Sequence, residues 1–301
     1  MLNVFAVTLL ASLHALSAAV ASAATMTAQS PGVQATSEND NLEPDRPDVT
    51  NGTHIVDVGL LQMEVGGVWN RSGGGRRSAG TPVALRIGLA EWLEARISGD
   101  GFLSVTDAAG NQRGMGNVQL GAKLRLWSDP GGVPVLSILP TVNLPAASES
   151  KGLGSGQADF TIAILTGTDF LTRGHVDINY GVGRIGAGTG LSRFTQQLVS
   201  WSASAEVPGP VTPYLEGFWF SRQDPDGGQI AALDTGAIYV INQRLALDGG
   251  VQVGLTDAAP SLSAFGGMSI VLGNVLGDHG VHARQRETAR RAAARPAKGR
   301  R

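Results

Sequence analysis

The feature that most constrains the fold of this chain is a two-residue alternation of apolar and polar side chains. In residues 117–127, every second position from Val118 to Leu126 is apolar, and the positions between them hold Asn, Gln, Gly, Lys and Arg. Because successive side chains of a β-strand point to opposite faces, this pattern predicts a strand with one apolar and one polar face. A tilted strand of about 11 residues is long enough to cross a bilayer.

The same alternation recurs in about twelve consecutive segments. Stretches rich in Gly, Pro, Asp and Asn separate them, and no helical pattern lies between them. Consecutive strands with short turns predict an antiparallel meander. The predicted strands span 55–69, 81–89, 92–99, 116–127, 133–143, 157–168, 174–185, 197–207, 211–221, 230–241, 244–256 and 262–272.

Two all-β architectures fit this pattern. A soluble sandwich buries its apolar faces between two sheets, whereas a transmembrane barrel turns them toward lipid and encloses its polar faces. Glycines recur on the polar faces, where a narrow lumen would crowd larger side chains: Gly66, Gly88, Gly121, Gly181 and Gly250. Tryptophans lie near segment ends on the apolar faces, as in the aromatic girdles of barrels: Trp69, Trp127 and Trp219.

An even number of strands near twelve also closes a sheet without free edges, which a bilayer requires because no water satisfies edge amides there. We therefore predict an all-β fold, a closed antiparallel up-and-down transmembrane β-barrel of about 12 strands. The barrel is expected over residues 54–273.

The two ends of the chain differ from this body. Residues 1–23 are apolar and end in Ala21-Ser22-Ala23, which predicts a secretory signal peptide and an exported protein of a Gram-negative envelope. Residues 24–53 are expected to form a flexible N-terminal leader. Residues 274–301 form a basic tail, which we interpret as a disordered, solvated appendage; binding to nucleic acid or to anionic lipid head groups is the alternative.

Several short stretches follow one another in a characteristic order along the chain. They are Asp45-Arg46-Pro47-Asp48-Val49-Thr50, Leu61-Gln62-Met63-Glu64-Val65-Gly66, Leu85-Arg86-Ile87-Gly88-Leu89, Leu93-Glu94-Ala95-Arg96, Leu144-Pro145-Ala146, Lys151-Gly152-Leu153-Gly154-Ser155-Gly156, Asp159-Phe160 and Pro213-Tyr214-Leu215-Glu216. Together they resemble an outer-membrane barrel family named for a role in the meta-pathway of phenol degradation and often labelled as transporters. The similarity covers roughly residues 45–272, and the order of the stretches is more specific than any single motif. The resemblance implies an outer-membrane barrel.

Charged residues on the polar faces of the early segments are the candidate lumen-lining constriction: Glu64, Arg86, Glu94, Arg96, Lys123 and Arg125. They are assigned to the inside because an Arg or Lys facing lipid at mid-depth costs about 2–4 kcal/mol. They could form a constriction that selects solutes by size and sign. They could equally form an ion-pair network that fills and seals a barrel of this size.

The entry motif, Asp45, Arg46, Pro47 and Asp48, precedes the first predicted strand. One interpretation is a plug or gating element at the barrel mouth. The plainer interpretation, which we favour, is that Pro47 fixes the approach to the strand and the charges lie in water.

Enzyme chemistry has little support. The chain has no Cys and five His, and no spacing fixes a serine partner for His54 or His175. We expect no catalytic residues, no metal site and no cofactor. A lipid hydrolase of the outer membrane is kept as a second alternative.

The function predicted from sequence is a passive outer-membrane channel for small molecules, which could be hydrophobic or aromatic. The expected partners are outer-membrane lipid, the barrel-assembly machinery and a small solute that the sequence does not identify. A net charge of −2 gives no reason to expect nucleic acid, and we expect a monomer. The first alternative is a structural or surface-interaction barrel with a sealed lumen.

Overall fold

The computed structural model describes residues 42, 44–46, 49–127, 134–171 and 173–276. The signal peptide, most of the leader and nearly all of the basic tail therefore lie outside the described residues. The strands of the described part are β1 (Leu60–Arg71), β2 (Arg77–Ala90), β3 (Leu93–Asp107), β4 (Gly110–Gly114), β5 (Val118–Trp127), β6 (Val135–Leu144), β7 (Asp159–Phe170), β8 (Gly174–Ile185), β9 (Phe194–Ala205), β10 (Val211–Phe220), β11 (Ile230–Asn242), β12 (Leu245–Gly254) and β13 (Leu262–Asn274).

Twelve of these strands close into a barrel. Each pairs antiparallel with its neighbours along the chain, β3 pairs with β5, and β1 pairs with β13 as well as with β2. The remaining strand, β4, pairs only with the end of β3 as a short hairpin. The closed sheet satisfies its backbone groups internally, which is the condition for spanning a bilayer with strands. The predicted fold class and strand number are confirmed.

The alternation places apolar side chains on the outside and polar ones inside. Ile97, Leu120 and Ile178 are exposed on the outer surface. Glu94, Lys123 and Asp177, on the opposite face of the same strands, are fully buried. The tryptophans predicted for the outer face, Trp69, Trp127 and Trp219, are not buried. The apolar surface of the barrel is thus its exterior, as contact with lipid requires.

The two rims of the barrel differ. At the terminal rim, where β1 begins and β13 ends, connections are as short as residues 91–92 and 243–244. At the opposite loop rim, they reach 145–158 and 221–229. Two short 3₁₀ helices, Gly73–Gly75 and Glu149–Lys151, lie in loop-rim connections. No helix in the described ranges is both long and apolar enough to span a membrane.

An irregularity in β3 redirects its upper part. Gly101 and Phe102 are both exposed, and the pairing with β2 slips between Gly80 and Pro82. A bulge of this kind inverts the alternation, so Leu103 and Val105 turn inward and pack with Leu153 of the loop 145–158. The β3–β4 hairpin is therefore buttressed by this loop at the loop rim.

The first strand begins later than the sequence predicted. Residues 55–59 were expected at the start of a strand over 55–69, but β1 begins at Leu60. Ile55, Val56 and Val58 are buried inside the barrel instead. Val56 packs in an apolar cluster with Leu42 and Leu60, so the apolar pattern reflects packing in the interior rather than contact with lipid.

Candidate functional site in the barrel lumen

The segment before β1 occupies the lumen, and we call the described residues between 42 and 59 the plug. At the terminal rim, the Leu42 amide donates to the Gln243 carbonyl at 2.9 Å. The chain returns to the same rim, where Val58 bridges Gly88 of β2 and leads into β1. Between these points the plug contacts side chains from strands around the barrel, so it is a loop inserted from one end.

Asp45 of the plug lies at the centre of a group of basic side chains. One of its carboxylate oxygens, Oδ2, accepts from three cations, each at 2.8 Å: Arg86 Nη2, Arg96 Nη2 and Lys123 Nζ. Asp45 is 2% exposed. A carboxylate so buried is stable only because it is paired and hydrogen-bonded.

Two acidic side chains of the wall complete this network. Arg86 donates from Nη1 to Glu64 Oε1 at 2.8 Å and from Nη2 to Glu94 Oε2 at 2.8 Å. Arg96 also pairs with Glu94. Three basic and three acidic groups therefore meet with charges in balance, and none is more than 8% exposed. We call these groups, without Asp45, the charged wall.

Contrary to the expectation from sequence, the first two residues of the entry motif do not lie in water. Asp45 and Arg46 are both buried, and Arg46 pairs with Asp248 of β12 at 3.4 Å. Pro47 and Asp48 lie outside the described residues. The plainer interpretation of the motif is wrong for its first two charges, because they are neutralised by partners far away in sequence. The last part of the expected flexible leader is likewise held inside the barrel.

Other contacts grip the main chain of the plug. Lys123 Nζ donates to the carbonyls of Gly52 and His54 at 2.8 and 2.9 Å. Ser137 of β6 donates to the Thr53 carbonyl at 3.2 Å. These contacts give the irregular backbone of the plug the partners that a buried chain needs.

The opposite side of the lumen also binds the main chain. Glu216 of β10 is fully buried and accepts from the amides of Val49, at 2.9 Å, and Thr50. Asn179 of β8 donates to the Asn51 carbonyl at 2.9 Å. We call Glu216 and Asn179 the amide wall. Sequence analysis did not single out either residue for the site, since a lone Glu or Asn on a polar strand face carries no spacing signal.

Glycines on the inner face make room for the plug. A side chain at Gly88 would meet the carbonyl oxygens of Val56 and Asp57 at 2.1 and 2.4 Å. One at Gly66 would meet the Arg46 guanidinium at 2.1 Å, and one at Gly121 the stem of Arg96 at 3.1 Å. Sequence analysis predicted that the lumen would crowd these positions, but did not predict that the crowding comes from the plug. These glycines were the signal from which the plug could have been found.

Five of the six predicted lumen residues meet in the charged wall: Glu64, Arg86, Glu94, Arg96 and Lys123. The sixth, Arg125, follows Lys123 on the same face of β5 and is partly exposed. The structure thus brings the predicted residues together around the plug. Their role as a selective constriction stays a prediction.

The two histidines that the structure describes, His54 and His175, lie close to each other. His175 pairs through Nδ1 with Asp169 at 2.7 Å and through Nε2 with Asp177 at 3.2 Å. The ring of His54 lies 6.1 Å from that of His175. Over the described ranges, no three His, Cys, Asp or Glu residues are grouped so that they could hold a metal ion.

A cavity lies between the plug and the loop rim. The cavity is partly open to solvent. Val49 and Asn51 of the plug and Arg96 of the charged wall contribute to its lining. Apolar side chains from three strands, Leu139, Ile185 and Leu198, form part of its sides. The cavity therefore offers a solute both an apolar surface and a cation.

The loops above the cavity are joined by an exposed contact. Glu149 accepts hydrogen bonds from the Thr189 hydroxyl at 2.6 Å and from its amide at 2.7 Å. These bonds favour the carboxylate and lower the pKa of Glu149. The contact joins the connection 145–158 to the connection 186–193.

Comparison with known proteins agrees with this architecture. The sequence profile of the family described as "Putative MetA-pathway of phenol degradation" matches residues 44–272. The chain belongs to this family. The match begins within the plug, so plug and barrel belong to one family unit. A search of curated proteins found no match.

Solved structures share the fold at low identity. The COG4313 outer membrane channel from Pseudomonas putida F1 aligns with a TM-score of 0.55 and 13% identity, covering 73% of this chain and 98% of that one. Two other barrels are less similar. The NanC porin aligns at 0.48 and 11% identity, covering 70% and 98%. The translocator domain of the autotransporter NalP from Neisseria meningitidis aligns at 0.42 and 14%, covering 70% and 86%.

Proposed function

We propose that this protein is an outer-membrane channel that lets small molecules diffuse through its lumen, and that the plug must move for them to pass. Membership of a family of outer-membrane barrels supports this proposal, as does the fold shared with a solved outer membrane channel. The mechanism needs no cofactor and no energy coupling. We propose that the barrel acts as a monomer.

The orientation of the barrel follows from its connections. Outer-membrane barrels have short periplasmic turns and longer extracellular loops. The terminal rim, with the turns 91–92 and 243–244, would therefore face the periplasm. The plug would then enter the lumen from the periplasmic side, and the cavity would open toward the outside.

The observation that carries the proposal is how the plug is attached. Apart from the bridge at Val58, the plug forms no strand of the sheet. Main-chain hydrogen bonds hold the plug at the terminal rim, from Leu42 to Gln243 and from Gly59 to Gly88, and its contacts within the lumen include side-chain hydrogen bonds and ion pairs. The plug can therefore leave the lumen without opening the hydrogen-bonded ring of strands, which is the property expected of a gate. A sealed structural barrel needs no separable filling.

The solutes that suit this lumen are small and partly apolar. Leu139, Ile185 and Leu198 give the cavity an apolar side. Leu198 also belongs to an inward-facing cluster with Phe218 and Phe220, against which Val49 of the plug packs. An aromatic or aliphatic body would find matching surface here, whereas a strongly hydrated solute would lose water without compensation.

A reversible cross-link between plug and wall tests the proposal. The chain contains no Cys, so the double variant Thr53→Cys/Ser137→Cys can form one disulfide where a hydrogen bond now joins these two positions. In planar bilayers we expect conductance steps from the reduced variant and their loss on oxidation, with recovery after reduction. Each single-cysteine variant serves as a control and should respond to neither treatment.

Two results would contradict the proposal. Steps that persist in the cross-linked protein would mean that solutes pass with the plug in place. Flat traces from the wild type and the reduced variant alike, from protein whose barrel is shown to be folded by heat-dependent gel mobility, would favour the sealed barrel instead. Release of fatty acid from phospholipid would revive the hydrolase alternative.

A further inference from the structure

The floor of the cavity presents one edge of an arginine. Arg96 directs Nε and Nη2 toward Glu94, and Nη2 also donates to Asp45 at 2.8 Å. Its other terminal nitrogen, Nη1, donates to the Asn51 side-chain oxygen of the plug at 3.3 Å. This bond is long and its acceptor is a neutral amide, so a carboxylate placed there would make a stronger, charge-assisted bond.

Two further polar side chains line the same cavity. Ser98 follows Arg96 on the inner face of β3 and pairs in register with Gln119 of β5, and its hydroxyl donates to the Gln119 side-chain oxygen at 3.5 Å. A hydroxyl, a side-chain amide and a guanidinium edge together match the oxygens of a carboxylate, which accepts several hydrogen bonds.

The opposite end of the cavity has the reverse charge. Asp159, at the loop-rim start of β7, accepts from the Gly186 amide and the Asn143 side chain, each at 2.7 Å. A carboxylate in the cavity is therefore repelled from Asp159 and attracted to Arg96. The apolar side formed by Leu139, Ile185 and Leu198 lies along the same space.

We propose that the cavity binds a small organic carboxylate, with its acid group on Arg96 Nη1 and its apolar body against this side. This inference names the solute class of the channel and so rests on the proposed function. Binding would replace the Asn51 contact and place a negative charge beside Asp45. Because Asp45 and Asn51 both belong to the plug, the solute competes with the plug for Arg96 and loosens it.

Direct binding of benzoate tests the carboxylate requirement. Benzamide has nearly the same shape without the charge, and benzylamine carries the opposite charge. We expect calorimetry on the full-length protein in detergent to give a Kd for benzoate at least about tenfold lower than for benzamide, the ratio expected from one charged hydrogen bond. Benzylamine should not bind measurably. Equal affinity for benzoate and benzamide would overturn the proposal.

Two variants place the site. Arg96→Lys keeps the charge but loses the planar fork, and should weaken benzoate binding about tenfold. Asn51→Ala removes the plug's competing acceptor without changing a residue of the charged wall, and should strengthen benzoate binding. Arg113→Lys, on the exposed hairpin strand β4, is the matched control and should change nothing. Benzoate affinity that is the same in the wild type, Arg96→Lys and Asn51→Ala would place any binding elsewhere.

Conductance recorded in parallel separates this inference from the channel itself. Benzoate should raise the open probability of the wild type, and benzamide should not. Conductance steps without benzoate binding would leave the channel standing and refute the carboxylate site. Benzoate binding that is weakened by Arg96→Lys, in a protein that shows no conductance steps, would support the carboxylate site and refute the channel.

Discussion

The two walls of the lumen hold the same plug in different ways. The charged wall binds plug main chain through Lys123 and also binds one plug side chain, Asp45, with three cations whose charges Glu64 and Glu94 help to balance. The amide wall binds plug main chain, through Glu216 to two amides and through Asn179 to a carbonyl. The charged wall therefore recognises the identity of a plug residue as well as the course of the backbone, and the amide wall recognises the course of the backbone.

This difference separates two properties of a gate. Main-chain contacts tolerate changes of plug sequence, so the amide wall can position the plug without selecting it. Ion pairs in a confined lumen depend on one acidic side chain and on the solutes that can replace it. We expect the amide wall to set where the plug lies and the charged wall to set how firmly it stays.

The largest effect is expected from Arg86→Gln. Arg86 is fully buried and pairs with Asp45, Glu64 and Glu94. Removing one partner of a buried ion-pair network leaves the other charges buried and unpaired, which lowers the free energy of unfolding by about 3–5 kcal/mol. Urea unfolding in lipid vesicles measures this loss, and Arg113→Gln, on exposed β4, should stay within about 0.5 kcal/mol of the wild type. Equal stability of the two variants would show that the charged wall does not stabilise the folded protein.

Asp45→Asn isolates the plug side of the same network. The amide keeps the shape of the carboxylate but loses charge-assisted bonds, which are worth about 1.5–3 kcal/mol each. We expect a higher open probability in planar bilayers with the barrel still folded. Asp226→Asn, in the connection 221–229 at the loop rim, is the control. An unchanged open probability would mean that the charged wall does not hold the plug.

Gly88→Ala tests a steric contact on the β2 side. The added methyl group would meet two main-chain oxygens of the plug, at Val56 and Asp57, which cannot rotate away. Such overpacking costs about 1–3 kcal/mol, and amide hydrogen exchange of residues 55–58 should accelerate. Gly67→Ala is a close match, because a methyl group at Gly67 has no neighbour within 4 Å. The prediction fails if both variants exchange alike.

Glu216→Gln weakens the amide wall alone. A neutral oxygen in place of the carboxylate lowers each hydrogen bond to the Val49 and Thr50 amides by about 1 kcal/mol. Their hydrogen exchange should accelerate, while the ion pairs of Asp45 stay intact. Glu206→Gln, in the exposed connection after β9, provides the control. Accelerated exchange throughout the plug would show that the two walls do not act separately.

The smallest effect is expected outside the lumen. Glu149 also accepts hydrogen bonds, but it is exposed to solvent, whereas the residues of the two walls are buried. Its pKa is lowered by the Thr189 hydroxyl and amide, so the contact is fully present above the ordinary pKa of Glu, about 4.3, and is lost as the pH falls through the lowered value. Solvent screening keeps the contribution below about 0.5 kcal/mol. The protection of the Thr189 amide, measured as exchange relative to its intrinsic rate at each pH, should fall at low pH and should lose this pH dependence in Glu149→Gln.

The architecture was predictable because alternation is a local property. A strand such as β5 shows its two faces in its own sequence, and the charges of Arg86 and Lys123 could be assigned inward from the cost of facing lipid. The strand pairing then follows from chain order and short turns. Nothing in this reasoning required knowledge of contacts between distant residues.

The plug could not be found in the same way. Asp45 pairs with Lys123, which lies 78 positions further along the chain, and no local sequence pattern indicates such a pairing. The apolar residues 55–58 imitate a strand because alternation is the same whether a side chain faces lipid or packs inside the lumen. The bulge at Gly101 and Phe102 was missed for a related reason, since one extra residue interrupts the period without changing composition.

The covalent continuity between the plug and β1 has a consequence for reversibility. Residues 58–60 join the two directly at the rim, so a plug that has left the lumen stays tethered to its own docking site. For short tethers the effective concentration of such a segment is in the millimolar range, independent of protein abundance. Reinsertion is therefore a unimolecular event, and the plug of each barrel returns to the lumen independently of other molecules once the solute has left.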